Sequence, residues 1–200
     1  MLPNPKNPRE YFIVGGAKVA EPTEFPFAVA LEENGRFQIC GGSIIHPEWV
    51  VTAAHCATTR PDELMISYGS LANRARRNQL VRVSRVIPHP GYAGSGTGND
   101  IGLLQLQRPI PMTPTSQTVK ISTEGVMEGE LLTIAGWGVT DPVTNHASRV
   151  LKKLDIPVAS HKSCRSAVRN YREKHLVCIG GHPEQGPCFG DSGGPLVRSS

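Results

Sequence analysis

The chain contains no run of about 18 apolar residues, the minimum for a membrane-spanning helix, anywhere in its 200 residues. Met1 to Phe12 is rich in proline, asparagine and charge and lacks the apolar centre of a secretory signal. No Asn-x-Ser/Thr acceptor for N-glycosylation occurs,. Long amphipathic runs are scarce and aromatics make up only 6% of residues. The formal net charge of +4 is mild; without clustered aromatics or a basic helix it points to no nucleic-acid partner and no membrane partner.

Abundant glycine (21) and proline (17) favour many short strands joined by turns,. With 38% hydrophobic residues the chain can bury a core as one globular unit or two small packed lobes,. Runs of strand length recur at Phe27 to Leu31, Ile39 to Ile45, Trp49 to Thr52, Leu64 to Tyr68, Leu80 to Ile87, Ile101 to Leu106, Leu131 to Ala135, Leu151 to Ile156 and Leu176 to Ile179,. Leu80 to Val86 alternates apolar with polar, the pattern of a strand with one wet face,. Ser160 to Tyr171 reads as the one helix of note, with Ser160 as N-cap,. Pro109 to Ser122 reads as a linker between two β-rich halves,. The fold class expected is all-β.

Three segments carry chemistry: Thr52-Ala53-Ala54-His55-Cys56, Asn99-Asp100-Ile101-Gly102-Leu103-Leu104 and Gly190-Asp191-Ser192-Gly193-Gly194-Pro195-Leu196. A serine hydroxyl is a poor nucleophile until an imidazole accepts its proton, and the imidazole needs a carboxylate to hold its tautomer. Ser192, His55 and Asp100 supply these groups. Each alone has an ordinary reading, as a loop serine, a surface or core histidine and a turn aspartate after Asn99. The other histidines (His46, His89, His146, His161, His175 and His182) lack such context and read as structural or exposed.

The order His, Asp, Ser, together with Ile13-Val14-Gly15-Gly16 near the start, closely resembles the chymotrypsin and trypsin family of serine endopeptidases. The resemblance implies two antiparallel barrels of six-stranded type, the first over about 13–112 and the second over about 113–200, with the active site in the cleft between them. Residues 1–12 would be a propeptide-like leader. The family continues well beyond the serine, so a chain ending at Ser200 would have an incomplete second barrel and be truncated at its C-terminus.

The roles implied are His55 as general base and then acid, Asp100 as its orienting carboxylate buried against the ring, and Ser192 as nucleophile. The N–H groups of Gly190 and Ser192 would form the oxyanion hole. Asp191 would accept the α-ammonium of Ile13 after zymogen cleavage. Tyr11-Phe12 precedes that bond, which suits a chymotrypsin-like or permissive activating protease. Gly186 would lie at the base of the primary substrate pocket and leave it neutral. An elastase-like or chymotrypsin-like preference fits, but some collagenolytic relatives pair a glycine here with an acid further along, so substrate choice stays open. Pro187 and Phe189 either shape the pocket rim or pack.

Five cysteines leave an odd one,. By resemblance Cys40 bridges to Cys56 and Cys164 to Cys178, leaving Cys188; five reduced cytosolic thiols is the other reading. The segment Ser70 to Gln79 carries Asn73, Arg74, Arg76 and Arg77 but no acid, so no calcium is expected there,. No metal and no cofactor are expected elsewhere. The expected protein is thus a secreted, monomeric serine endopeptidase made as a zymogen and acting on polypeptide substrates, with an activating protease and protein inhibitors as partners. The alternative is an inactive protease homologue, or a fragment, acting as a binding or regulatory protein.

Overall fold

Six strands close on themselves: β1 (Ala28–Glu33), β2 (Phe37–His46), β3 (Trp49–Thr52), β4 (Leu64–Ser67), β5 (Leu80–Pro88) and β6 (Gly102–Leu106), in barrel order β1-β2-β3-β6-β5-β4. They belong to a computed structural model that describes residues 21–73, 76–94, 98–141, 146–168, 171–173, 175–180 and 186–198. Every neighbouring pair in the barrel is antiparallel, so the sheet has no free edge to pair with another chain.

The strand period of two explains how β1 serves two cores. Val29 and Leu31 point into the barrel with Ile44, Val50, Leu64, Ile66, Val81 and Leu104. Ala28 and Ala30 face outward and join Phe25, Ala135, Trp137 and Leu151 in a second cluster. Alanine on that face lets the second β unit approach closely, and Trp137 fills the remaining space while its indole N–H donates to the Leu71 carbonyl at 2.8 Å,. In β5, Val81 and Val83 are buried while Arg82 and Ser84 are exposed, the wet-faced strand that the alternation predicts.

Beyond the barrel, β7 (Leu131–Gly136), β8 (Val139–Asp141), β9 (His146–Ala147), β10 (Lys152–Pro157) and β11 (Leu196–Arg198) follow. They form a three-stranded sheet in the order β10-β7-β11 and a β8-β9 ribbon. The expected linker is not a free connection. Ile110 is buried, the Gln117 N–H donates to Pro26 O and the Val119 N–H to Ile44 O, so the segment lies along the first barrel.

Two expectations need correction. Leu176 to Ile179 is not a strand: among the described residues it pairs only through the Val158–Ile179 bridge, made by the Ala159 N–H donating to Cys178 O and the Gly180 N–H to Pro157 O, beside the Cys164–Cys178 disulfide. The helix α1 (His161–Ala167) starts as predicted, with the Ser160 hydroxyl accepting from the Ser163 N–H, but stops well before Tyr171. Its stop falls at β-branched Val168, whose backbone turns extended while its N–H donates to Cys164 O,. No helix among the described residues is long and apolar enough to cross a membrane.

Candidate active site

His55 lies in a single 3-10 turn, Ala54–Cys56, that leaves the end of β3. Asp100 lies just before β6, the partner of β3. Pairing of Thr52 with Gly102 therefore brings the two side chains together from different parts of the chain. Asp100 accepts twice from the same residue: Oδ2 lies 2.7 Å from His55 Nδ1 and Oδ1 takes the His55 backbone N–H at 2.9 Å. A carboxylate accepting at Nδ1 keeps the ring proton there and leaves the Nε2 lone pair available as a base. The expectation that Asp100 is buried does not hold, since its side chain is 37% exposed and that of His55 39%. The carboxylate sits in the loop before the strand, where its orientation comes from two hydrogen bonds and not from enclosure.

The Cys40–Cys56 disulfide joins β2 to the histidine turn. Its sulfurs and a His55 ring nitrogen lie within 4.8 Å of one another. Both sulfurs are committed to the bridge, so the imidazole is the one ligand this group could offer a metal, too few for a zinc-type centre. Cys56 Sγ in turn touches the Ser192 carbonyl oxygen at 3.7 Å. The imidazole and the Ser192 backbone are therefore separated by no more than the sum of those two spacings.

Ser192 reaches that position because its loop docks on the barrel backbone. The Gly41 N–H donates to Ser192 O at 2.8 Å, while the Thr52 hydroxyl donates to Gly41 O at 2.8 Å and holds that stretch of β2 against β3. Gly193 has φ +77, and a side chain there would meet Thr52 Oγ1, the Ala53 nitrogen at 2.7 Å and Gly41 O at 2.8 Å. Among the described residues the Gly190 and Ser192 N–H groups donate to nothing, and no hydrogen bond joins Ser192 to His55. Two free donors beside a hydroxyl can receive an oxygen that gains negative charge.

Asp191 turns away from Ser192. Its Oδ1 accepts the Gly138 N–H at 2.7 Å and its Oδ2 the Cys188 N–H at 3.0 Å. A Cβ on Gly136 or Gly138 would collide with this carboxylate, so the Gly-Trp-Gly run makes the recess that holds it. Burial pushes the Asp191 carboxyl above its ordinary value, and the two backbone donors pull partly the other way,. Ile13, its expected ammonium partner, lies outside the described residues.

A cavity of about 530 Å³ opens beside Ser192, lined by Ile134, Ala135, Pro187, Cys188, Phe189, Asp191, Ser192, Gly194 and Pro195. Pro187 and Phe189 thus belong to its wall, with Phe189 80% exposed. Gly186 does not line it, and a methyl group there would meet none of the described residues within 4 Å. The Cys164–Cys178 bridge is formed and Cys188 is free. Two residues outside the three motifs also touch the serine loop: Gly41, whose Cys-Gly-Gly setting inside a strand is itself a signal of close backbone approach,, and Gln38, whose Nε2 donates to Gly190 O at 3.1 Å and for which no sequence signal exists.

Comparison with known proteins agrees with this geometry. The family profile described as Trypsin matches residues 13–200. Trypsin 5G1 of Aedes aegypti is 36% identical over 194 residues, covering 94% of this chain and 71% of that protein. Kallikrein-12 of Homo sapiens is 33% identical over 174 residues, covering 86% and 69%. Trypsin-2 of Salmo salar is 34% identical over 187 residues, covering 92% and 78%. The chain belongs to the trypsin family and is a serine endopeptidase, a hydrolase whose substrates are polypeptides.

Proposed function

We propose that this endopeptidase works through an acyl-enzyme intermediate at Ser192, with His55 as general base and then acid and Asp100 as the group that fixes the tautomer of the imidazole and stabilises the imidazolium that forms. The observation that carries the reading is the double acceptance by Asp100, at Nδ1 and at the backbone N–H of His55. Ser192 Oγ attacks the scissile carbonyl as its proton passes to His55 Nε2. The new oxyanion is met by the N–H groups of Gly190 and Ser192. The imidazolium then protonates the leaving amine, and a water deprotonated by His55 releases the acyl group. Loss of one oxyanion donor costs about 10²- to 10³-fold in rate.

Residues 13–200 form the protease domain in this reading, with a first lobe to about residue 112 and a second from about 113. The start of the family match at residue 13 and the change from barrel strands, ending at Leu106, to the strands from Leu131 onward support the division. Residues 1–12 are then a leader, and cleavage between Phe12 and Ile13 by a chymotrypsin-like or permissive protease frees the Ile13 ammonium for Asp191. The protein acts as a secreted monomer, with protein inhibitors among its partners. Two formed disulfides support an oxidising compartment,. The cavity next to Ser192, with the apolar walls of Ile134, Pro187 and Phe189, suits an uncharged substrate side chain.

Intact mass after fluorophosphonate labelling of chain cleaved before Ile13, beside Ser192→Ala, tests the reading. One adduct, absent from the variant, is the result expected. Folded, cleaved protein that takes up no adduct would instead make the chain a binding or regulatory homologue.

A further inference from the structure

We propose that a basic cavity on the β4–β5 face of the barrel is a second binding site, one that holds an acidic segment of a polypeptide substrate apart from the catalytic cleft. The site takes no part in the acyl-enzyme steps above, and binding to it can be measured without them.

A cavity of about 400 Å³ is lined by Met65, Arg77, Leu80, Arg82, Gln107 and Arg108. Strand alternation builds it. Leu64 and Ile66 of β4 and Val81 and Val83 of β5 face the barrel core, so Met65, Leu80 and Arg82 face outward, and the register sets Met65 opposite Arg82. Arg77 opens the 3-10 turn Arg77–Gln79 that leads into β5, and the Gln107 N–H donates to Arg82 O at 2.9 Å. In the closed barrel order β5 lies opposite β2 and β4 opposite β3. The serine loop docks on β2 and the histidine turn follows β3, so the cavity and the cleft occupy different sides of the barrel.

The charge here is concentrated and uncompensated. From Leu64 to Asn99 the sequence holds Arg74, Arg76, Arg77, Arg82 and Arg85 and no Asp or Glu. These arginines outnumber the formal charge of +4 on the whole chain, so the remainder is close to neutral. Among the described residues no carboxylate lines the cavity. Asp62, whose carbonyl accepts from Arg82 Nη1 at 3.3 Å, gives its carboxylate to Arg60. Arg108 Nη2 donates to Leu80 O at 2.8 Å. These two backbone bonds steady the guanidinium groups and leave most of their N–H donors for an anion. Permanently charged forks held in place pair well with carboxylates.

The floor selects the occupant. Met65 and Leu80 are half-buried apolar side chains beside these charges. A free oxyanion or a sulfated polysaccharide leaves that floor uncovered, whereas a peptide with an apolar side chain between carboxylates covers it and pairs the rim. Polypeptides are what this enzyme acts on, so its own substrates can carry such a segment.

The test follows the fluorescence anisotropy of a fluorescein-labelled peptide, Glu-Glu-Phe-Glu-Glu-Leu, on the full chain carrying Ser192→Ala, which binds without cutting. Saturable binding that weakens several-fold between about 0.05 M and about 0.5 M salt is expected. Arg77→Gln and Arg82→Gln should each lower affinity about threefold and together about tenfold, while Lys162→Gln on α1 should leave it unchanged. All three melting temperatures should stay within a degree or two of the parent, as for exposed side chains. A peptide with serine in place of phenylalanine and leucine should bind at least about threefold more weakly. In protein with Ser192 intact and cleaved before Ile13, saturating peptide should leave the fluorophosphonate labelling rate within twofold. KM for casein, a protein with acidic stretches, should rise about threefold in the double variant with kcat unchanged. Equal affinity in the double variant overturns the inference, as does equal binding of the serine peptide, because the surface would then accept any polyanion. Heparin binding without peptide binding overturns it too, and so does a peptide that blocks labelling, since it would sit in the cleft. Wild-type protein that takes up no label overturns the acyl-enzyme reading and leaves the anisotropy result standing, so the two failures are distinct.

Discussion

The Gly41 amide donates to the Ser192 carbonyl at 2.8 Å, so the serine loop is fastened to the barrel strand that also carries Cys40 of the histidine's disulfide. The contact requires the two backbones to touch, and Gly193 is the residue that permits it. In Gly193→Ala the new methyl would run into Thr52 Oγ1, the Ala53 nitrogen and Gly41 O at a left-handed φ. The expected cost is of the order of 2 kcal/mol in stability from backbone strain alone. Fluorophosphonate labelling should slow by at least about 100-fold, since a displaced loop misplaces the oxyanion donors. A melting curve and a labelling time course check both; a normal labelling rate would mean that the docking is dispensable.

Asp100→Asn separates orientation from charge. An amide can still occupy the same place, but it can present an N–H to Nδ1 and so stabilise the wrong tautomer. Hydrolysis is expected to fall about 10⁴-fold with the fold unchanged. Because Asp100 is 37% exposed, the substitution leaves no buried group unsatisfied and the melting temperature should stay within a degree or two. A large loss of stability would show that the carboxylate supports the fold as well as the ring.

Removing the Cys40–Cys56 bridge as a Cys40→Ala/Cys56→Ala pair opens a loop with a sequence separation of 16. Chain-entropy reasoning puts the loss at about 3 kcal/mol. The functional loss should exceed what stability explains, because the bridge lies against both the imidazole and the Ser192 carbonyl. Labelling rates measured well below the variant's melting temperature separate the two effects. Equal rates per folded molecule would confine the disulfide to a stabilising role.

Much of this arrangement is legible in the residues. β3 matches its predicted bounds, and the other barrel strands match within a few residues, because both faces of each strand obey a period of two or are buried throughout. Ser160 announces α1 through its capping hydroxyl. The strands that sequence reading misses, β8, β9 and β11, span three residues or fewer. No periodicity can be read over such a length; tertiary pairing alone defines them. The pairing of His55 with Asp100 follows from motif order, whereas the exposure of Asp100 and the contact between Gln38 and Gly190 depend on which chain segments meet, and local pattern carries no trace of that.

Asp191 links the site to pH. Burial raises its folded-state pKa above the ordinary aspartate value of 3.8, so between those two values the folded protein holds more protons than the unfolded chain. Stability from this group is thus fully present below 3.8 and is lost as pH rises through the raised value. Asp191→Asn should flatten that decline in a series of melting curves. Cleavage before Ile13 should flatten it too if the new ammonium reaches the recess formed by Gly136 and Gly138, since a neighbouring cation favours the ionised carboxylate and draws its pKa down. Blocking the new terminus by acetylation should then restore the decline and slow fluorophosphonate labelling together. A pH profile identical before and after cleavage would mean that the Ile13 ammonium does not pair with Asp191, and that the serine loop is ordered by the Cys188 and Gly138 amides alone.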